Sequence, residues 1–195
     1  MKSIEVDGLT FKPYLSQEEL HPHIARVAKE IIADVGDRDP LFVCILNGAF
    51  MFGSDIAHLL DKPYEMTFAK YSSYSGMHST GRLTEVMAPQ IDVKGRVVVV
   101  LEDLVDTGFT LTEIKKLYLS RGAEEVRIAV MLDKPNAHKD TSLVLDYVGK
   151  EIPDDFIVGH GLDYNGFGRM LNDIFVVDEE SLRKKNQSLN IYYHA

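Results

Sequence analysis

Cysteine is nearly absent from this chain, with one, Cys44, in 195 residues. A lone thiol excludes a disulfide framework, and its place inside the apolar run Leu41 to Leu46 is that of a small packed hydrophobe. A reducing compartment fits. Long apolar runs are lacking too: the longest aliphatic stretch, Val97 to Leu101, has strand length against the ~20 residues of a membrane span. Basic charge is in deficit, with 21 Lys and Arg against 30 Asp and Glu and a formal net charge of −9. Such a field repels polyanions, so nucleic acid is not expected as a partner, and with no spanning run neither is a membrane. The seven histidines show no His-x-x-x-His spacing, which argues against a structural zinc site.

Internal repeats, low-complexity tracts and linker-like shifts are also missing, and residues 1–195 are expected to form one domain. The first residues carry Glu5, Asp7, Glu18 and Glu19 and no apolar segment behind basic residues, so no secretory or transit peptide is expected and the compartment is the cytoplasm.

What is present is alternation of strand and helix. Leu20, Ile24, Val27, Ala28, Ile31 and Ile32 follow the capping box that starts at Ser16, predicting an amphipathic helix that ends near Gly36. Leu41 to Leu46 is continuously apolar, as in a strand covered on both faces. The turn Asn47-Gly48 follows, then a helix to about Leu60. Val97 to Leu101 is a second buried strand, Glu102 to Thr110 a polar turn, and Leu111, Ile114, Leu117 and Tyr118 one face of a helix closed by Gly122. Val126 to Leu132, Tyr64 to Tyr71, Leu143 to Val148, Phe156 to Val158 and Ile174 to Val177 are further strand candidates. The pattern predicts an α/β fold with a central parallel sheet flanked by helices, whose ligands bind beyond the strands' carboxyl ends. The small, hydroxyl-rich segment Ser72 to Gly81 is a candidate mobile loop.

Where the second strand meets its helix stands Glu102-Asp103-Leu104-Val105-Asp106-Thr107-Gly108-Phe109-Thr110. Backbone donors at a helix start, a permissive glycine and two threonine hydroxyls suit a phosphate. Three carboxylates beside it suit ribose hydroxyls, a metal or a cationic centre, and a sugar phosphate meets both demands. The plainer alternative is that Glu102 and Asp103 end a strand while Asp106 caps a helix.

Taken whole, that run resembles the ribose-phosphate loop of the type I phosphoribosyltransferases. The segment Val148 to Arg169, with Phe156-Ile157-Val158 and Asp163-Tyr164-Asn165, resembles the purine end of the hypoxanthine branch of that family. The resemblance spans about Leu41 to Val177 and implies a type I phosphoribosyltransferase-like fold, with a core of about 16–135 and a small hood of about 136–177 joined by the N-terminal segment. It implies purine salvage: a 6-oxopurine, hypoxanthine or guanine, plus phosphoribosyl pyrophosphate gives a nucleoside monophosphate plus pyrophosphate, with Mg²⁺ as cofactor and a homodimer or homotetramer as assembly. The rival readings are a xanthine-preferring transferase, a nucleotide-sensing RNA-binding regulator on the same fold, and a noncatalytic scaffold.

By the same resemblance Glu102 and Asp103 hold the ribose hydroxyls, directly or through magnesium. Asp106, Thr107, Gly108, Phe109 and Thr110 hold the 5′-phosphate, and Asp106, as the catalytic residue, also meets N7 of the purine. Asn47, Gly48 and Arg169 bind pyrophosphate, and Asp163 meets its magnesium. Lys134 donates to O6, Phe156 stacks on the base, and the Ile157 backbone bonds its edge. Ser73 and Tyr74 belong to a lid. The family's pyrophosphate turn, here Asn47-Gly48, often contains a non-proline cis peptide. Asn47 and Phe109 depart from residues often basic or polar in relatives, from which altered affinity or subunit contacts with retained chemistry is expected. His138 and His160 are either neighbours of the base pocket or packing residues.

Overall fold

The computed structural model describes residues 1–73, 83–140 and 142–192. In chain order these form β1 (Ile4–Val6), β2 (Leu9–Leu15), α1 (Gln17–Val35), β3 (Leu41–Leu46), α2 (Phe50–Leu59), β4 (Met66–Ser73), β5 (Leu83–Met87), β6 (Val97–Val105), α3 (Phe109–Ser120), β7 (Glu125–Asp133), β8 (Tyr147–Glu151), β9 (Ile157–Val158), β10 (Ile174–Val177) and α4 (Glu179–Tyr192). They fall into two compact units, Pro22–Asp154 and a second made of Met1–His21 with Asp155–Ala195.

The Pro22–Asp154 unit carries a six-stranded sheet in the order β5-β4-β3-β6-β7-β8. Its strands pair in parallel except β5, which lies antiparallel to β4 at the edge. Successive side chains of a strand point to opposite faces. Val43 and Ile45 of β3 therefore join Val98, Val100, Ile128, Val130, Ile114 and Tyr118 on the face covered by α3. Cys44 points the other way, where Gly53 of α2 packs so closely that an added Cβ would come 2.7 Å from its Sγ. Continuous apolarity in β3 is what two covered faces demand.

Of the boundaries that differ from the sequence expectation, two bear on the polar run after Leu101. β6 does not end at Leu101: Glu102, Leu104 and Val105 stay in ladder register with Val130, Leu132 and Asp133 of β7. Backbone pairing continues there while the side chains become polar, which in sequence looks like a turn. The run Leu143 to Val148 is strand only from Tyr147 onward, and Leu143 instead packs over Gly108, where an added Cβ would lie 2.7 Å from Leu143 Cδ2.

Burial pushes the Cys44 thiol up to about 12, with the Glu102 and Asp103 carboxylates adding to the rise. Only the thiolate is nucleophilic, and the ordinary value is 9.0, so native alkylation by iodoacetamide at pH 8 should run about a thousandfold slower than in denatured chain. The native rate should keep climbing with pH beyond 9. Mass-spectrometric labelling checks this, and stoichiometric native modification within minutes at pH 8 would contradict it.

The second unit has its own antiparallel sheet, β1-β2-β10-β9. Leu9 and Phe11 alternate inward from β2 and meet Val6, Val158 and Phe175 in a small core. Pro13 sits where the β2–β10 register shifts, an irregularity that accommodates a residue without a ladder donor. Among the described residues no helix is long and apolar enough to cross a membrane.

Candidate active site

The chemistry-bearing run opens where β6 leaves the ladder. Glu102, Leu104, Val105, Asp106, Thr107, Gly108, Thr110 and Leu111 line one cavity of about 200 Å³. Gly108 starts α3 at φ +81°, the left-handed region that glycine tolerates, and no side chain caps the helix. The first-turn N–H groups of Thr110 and Leu111 thus belong to residues lining the cavity, at the positive end of the α3 dipole. Asp106 is exposed at the cavity's edge. Phe109 begins α3.

Glu102 and Asp103 are partly buried neighbours. Glu102 Oε1 accepts from the Asp103 amide at 3.2 Å and Asp103 Oδ1 from the Leu104 amide at 2.9 Å. Burial raises the Glu102 carboxyl well above the ordinary range, and the adjacent Asp103 charge raises it further. Two acidic groups crowded this way suit a hard cation that takes one or two carboxylates and fills its shell with substrate oxygens and water. Among the described residues no cluster of three or more candidate ligands forms a complete metal cage.

The neighbouring turn is built against the same pair. The peptide bond between Leu46 and Asn47 is cis, one bond ahead of Asn47-Gly48. Gly48 lies so close to Asp103 that any Cβ there would overlap the Asp103 carboxylate. Lys70 of β4, which is in register with Leu46, places its Nζ 3.4 Å from Asn47 Oδ1. A cation thus reaches the turn from the next strand, although residue 47 itself is uncharged. Sequence reasoning missed Lys70, since only the β3–β4 register reveals it.

At the end of β7, Lys134 is buried, its amide donating to the Val105 carbonyl at 3.0 Å and its Nζ lying 3.7 Å from Asp154 Oδ1. Sequence reasoning also missed Asp154, and it gave no role to Asp133, whose Oδ1 meets His138 Nε2 at 2.6 Å.

In the other unit, Phe156 is 43% exposed, with Phe11 at 6.2 Å and Tyr164 edge-on at 5.7 Å between ring centroids. Ile157 pairs with Val176 in the sheet. Asp163 and Arg169, expected on the same ligand, are brought together: Arg169 Nη2 lies 2.6 Å from Asp163 Oδ1, while Nη1 donates to the Gly161 carbonyl at 2.7 Å. His160 is fully buried, with Nδ1 3.0 Å from the Asn172 carbonyl. Ser73 closes β4 and is part of a strand. Tyr74 and the rest of the expected loop, through Gly81, lie outside the described residues.

The phosphoribosyl transferase domain family matches residues 14–165. The hypoxanthine-guanine phosphoribosyltransferase of Aquifex aeolicus is 33% identical over 177 residues, 90% of this chain and 99% of that protein. The Bacillus subtilis protein of the same name is 34% identical over 154 residues, 78% of this chain and 85% of that one. Among solved structures, a hypoxanthine phosphoribosyltransferase from Staphylococcus aureus aligns with TM-score 0.81 at 33% identity, covering 87% of this chain and 92% of its own. The Trypanosoma cruzi hypoxanthine phosphoribosyl transferase aligns with TM-score 0.83 at 30% identity, covering 94% and 99%. The fold is therefore that of the type I phosphoribosyltransferases, as the resemblance implied. The chain belongs to the phosphoribosyltransferase family, and within it to the hypoxanthine-guanine phosphoribosyltransferases.

Proposed function

We propose that the chain transfers the phosphoribosyl group of phosphoribosyl pyrophosphate to N9 of hypoxanthine or guanine in purine salvage, releasing pyrophosphate and the nucleoside monophosphate. The observation that carries this reading is one cavity in which an uncapped helix start meets Glu102, itself crowded by the neighbouring Asp103 carboxylate. An anionic tail and a ribose ring that turns cationic need that pairing.

The α3 amides and the Thr107 and Thr110 hydroxyls hold the 5′-phosphate. As the C1–pyrophosphate bond breaks and the N9–C1 bond forms, positive charge on the ribose is met by the field of Glu102 and Asp103. Asp106 accepts or relays the purine proton at N7. Glu102 and Asp103 would hold Mg²⁺, which supplies charge neutralisation of the leaving group when bound. Asp163 and Arg169 exchange their mutual pair for pyrophosphate, the carboxylate to its cation and the guanidinium fork to its oxygens. Asn47, Gly48 and the Lys70 ammonium form the other grip on pyrophosphate. Lys134 donates to O6, Phe156 stacks on the base, and Ile157 meets its edge through the backbone. Ser73 and Tyr74 belong to the segment that excludes water. Cytoplasmic residence and a homodimer or homotetramer complete the proposal, and sedimentation equilibrium measures the assembly.

The test is product formation from phosphoribosyl pyrophosphate with hypoxanthine, guanine, xanthine and adenine, with and without Mg²⁺. Hypoxanthine and guanine should react only with Mg²⁺. Adenine, whose amino group faces the Lys134 ammonium donor to donor, should be slower by about 10⁴-fold. Asp106→Ala should lower kcat with hypoxanthine by about a hundredfold. Absence of product with every base would end the reading, and preference for xanthine would redirect it.

A further inference from the structure

Asp133 is a carboxylate at the carboxyl end of β7 with only 5% of the residue exposed, an expensive position for a charge without a strong partner. Its partner is His138, five residues on, with Nε2 2.6 Å from Asp133 Oδ1. Between them lies Lys134, equally buried, and a single 3-10 turn, Pro135–Ala137, in which the Ala137 amide donates to the Lys134 carbonyl at 3.0 Å. The backbone of this segment is tied at both ends to the loop that holds phosphate: Lys134 N donates to Val105 O at 3.0 Å and Lys139 N to Thr107 O at 3.1 Å. Among the described side chains, the bond that closes the turn across its middle is Asp133–His138. Ion pairing of Lys134 with Asp154, at 3.7 Å and with Asp154 64% exposed, is too loose to fix an ammonium to the tolerance that recognition of one carbonyl oxygen requires.

We infer that Asp133 and His138 form a positioning clasp that holds the Lys134 turn in the geometry that reads O6 of the purine. The inference rests on the proposed role of Lys134. His138 itself touches no substrate in this scheme. It acts by denying the turn alternative conformations, so that Lys134 meets the base already placed.

A positioning role has a kinetic signature that loss of folded protein lacks. His138→Ala should raise KM for hypoxanthine about tenfold while kcat stays within about threefold, because placement is restored once the base is bound. His138→Gln, whose side-chain amide can still donate to Asp133, should recover most of the affinity. In a Lys134→Met background, His138→Ala should change KM for hypoxanthine by less than about twofold, since the group it positions is gone. His138→Leu, closer in volume, makes the same comparison should the alanine variant fail to fold. Unchanged KM in His138→Ala and His138→Leu, or an undiminished tenfold rise in the Lys134→Met background, would overturn the clasp while leaving Lys134 as the O6 donor. A Lys134→Met enzyme with wild-type KM and wild-type discrimination against adenine would instead overturn the reading of Lys134, and the clasp with it.

Discussion

Gly48→Ala should lower kcat/KM for phosphoribosyl pyrophosphate by about a hundredfold with a melting temperature within a few degrees of the parent. The added methyl would overlap the Asp103 carboxylate, not backbone. A carboxylate is the movable end of a short side chain, so the fold can yield by rotating it away. The consequence falls on chemistry, because Asp103 leaves the place from which it serves ribose and cation. Asp103→Ala should produce a loss of similar size by deleting the group outright. The two changes act on one object, so Gly48→Ala with Asp103→Ala should be no worse than Asp103→Ala alone. Steady-state kinetics across varied phosphoribosyl pyrophosphate and Mg²⁺ measures this. Full activity in Gly48→Ala, or losses that multiply in the double variant, would show that the turn and the acidic pair work independently.

That contact also marks where reading the sequence stops. Glu102 to Thr110 is legible because its residues are contiguous and its polarity breaks sharply from the aliphatic strand before it. Gly48 and Asp103 meet only because β3 lies beside β6 in the sheet, a neighbour relation that no local pattern encodes. Lys70 is hidden for the same reason: it reaches Asn47 through the β3–β4 register. The buried strand β3 and the Ile128–Leu132 stretch of β7 announce themselves by unbroken apolarity, whereas β5 alternates partly buried and exposed positions at an edge and leaves almost no signal. β2 hides behind Pro13, which reads as a breaker until the register shift beside it, where β2 carries one extra residue against β10, is seen. The extension of β6 through Val105 was missed because backbone pairing and side-chain polarity part company where a strand enters a site. Asp133 and His138 are close in sequence, but an acid and an imidazole five apart face each other only once the intervening turn is known.

Gly159→Ala should act on stability. Gly159 follows β9 at φ +106° and exchanges 3.0 Å backbone hydrogen bonds with Leu162. A Cβ at this position would collide with the Asp173 carbonyl oxygen and lie 3.2 Å from the Ile174 Cα. Neither obstacle is a side chain that can swing away. Backbone of β10 must move, or the chain must leave a conformation that L-residues other than glycine rarely adopt. Together these should cost about 3 kcal/mol and lower the melting temperature by about 6–12 °C. The damage should be regional, since β9 and β10 belong to a sheet with its own small core. Hydrogen exchange should accelerate in Ile157, Val158 and Ile174–Val177 and stay slow in β3 and β6. Ile157 and Phe156 stand two and three residues before the altered one, so KM for hypoxanthine should rise, while the cavity built from residues 102–111 should keep its structure. A variant that melts within a degree or two of the parent would mean that the β9–β10 connection yields at little cost, and the base-contacting strand would then owe its position to something other than this close backbone approach.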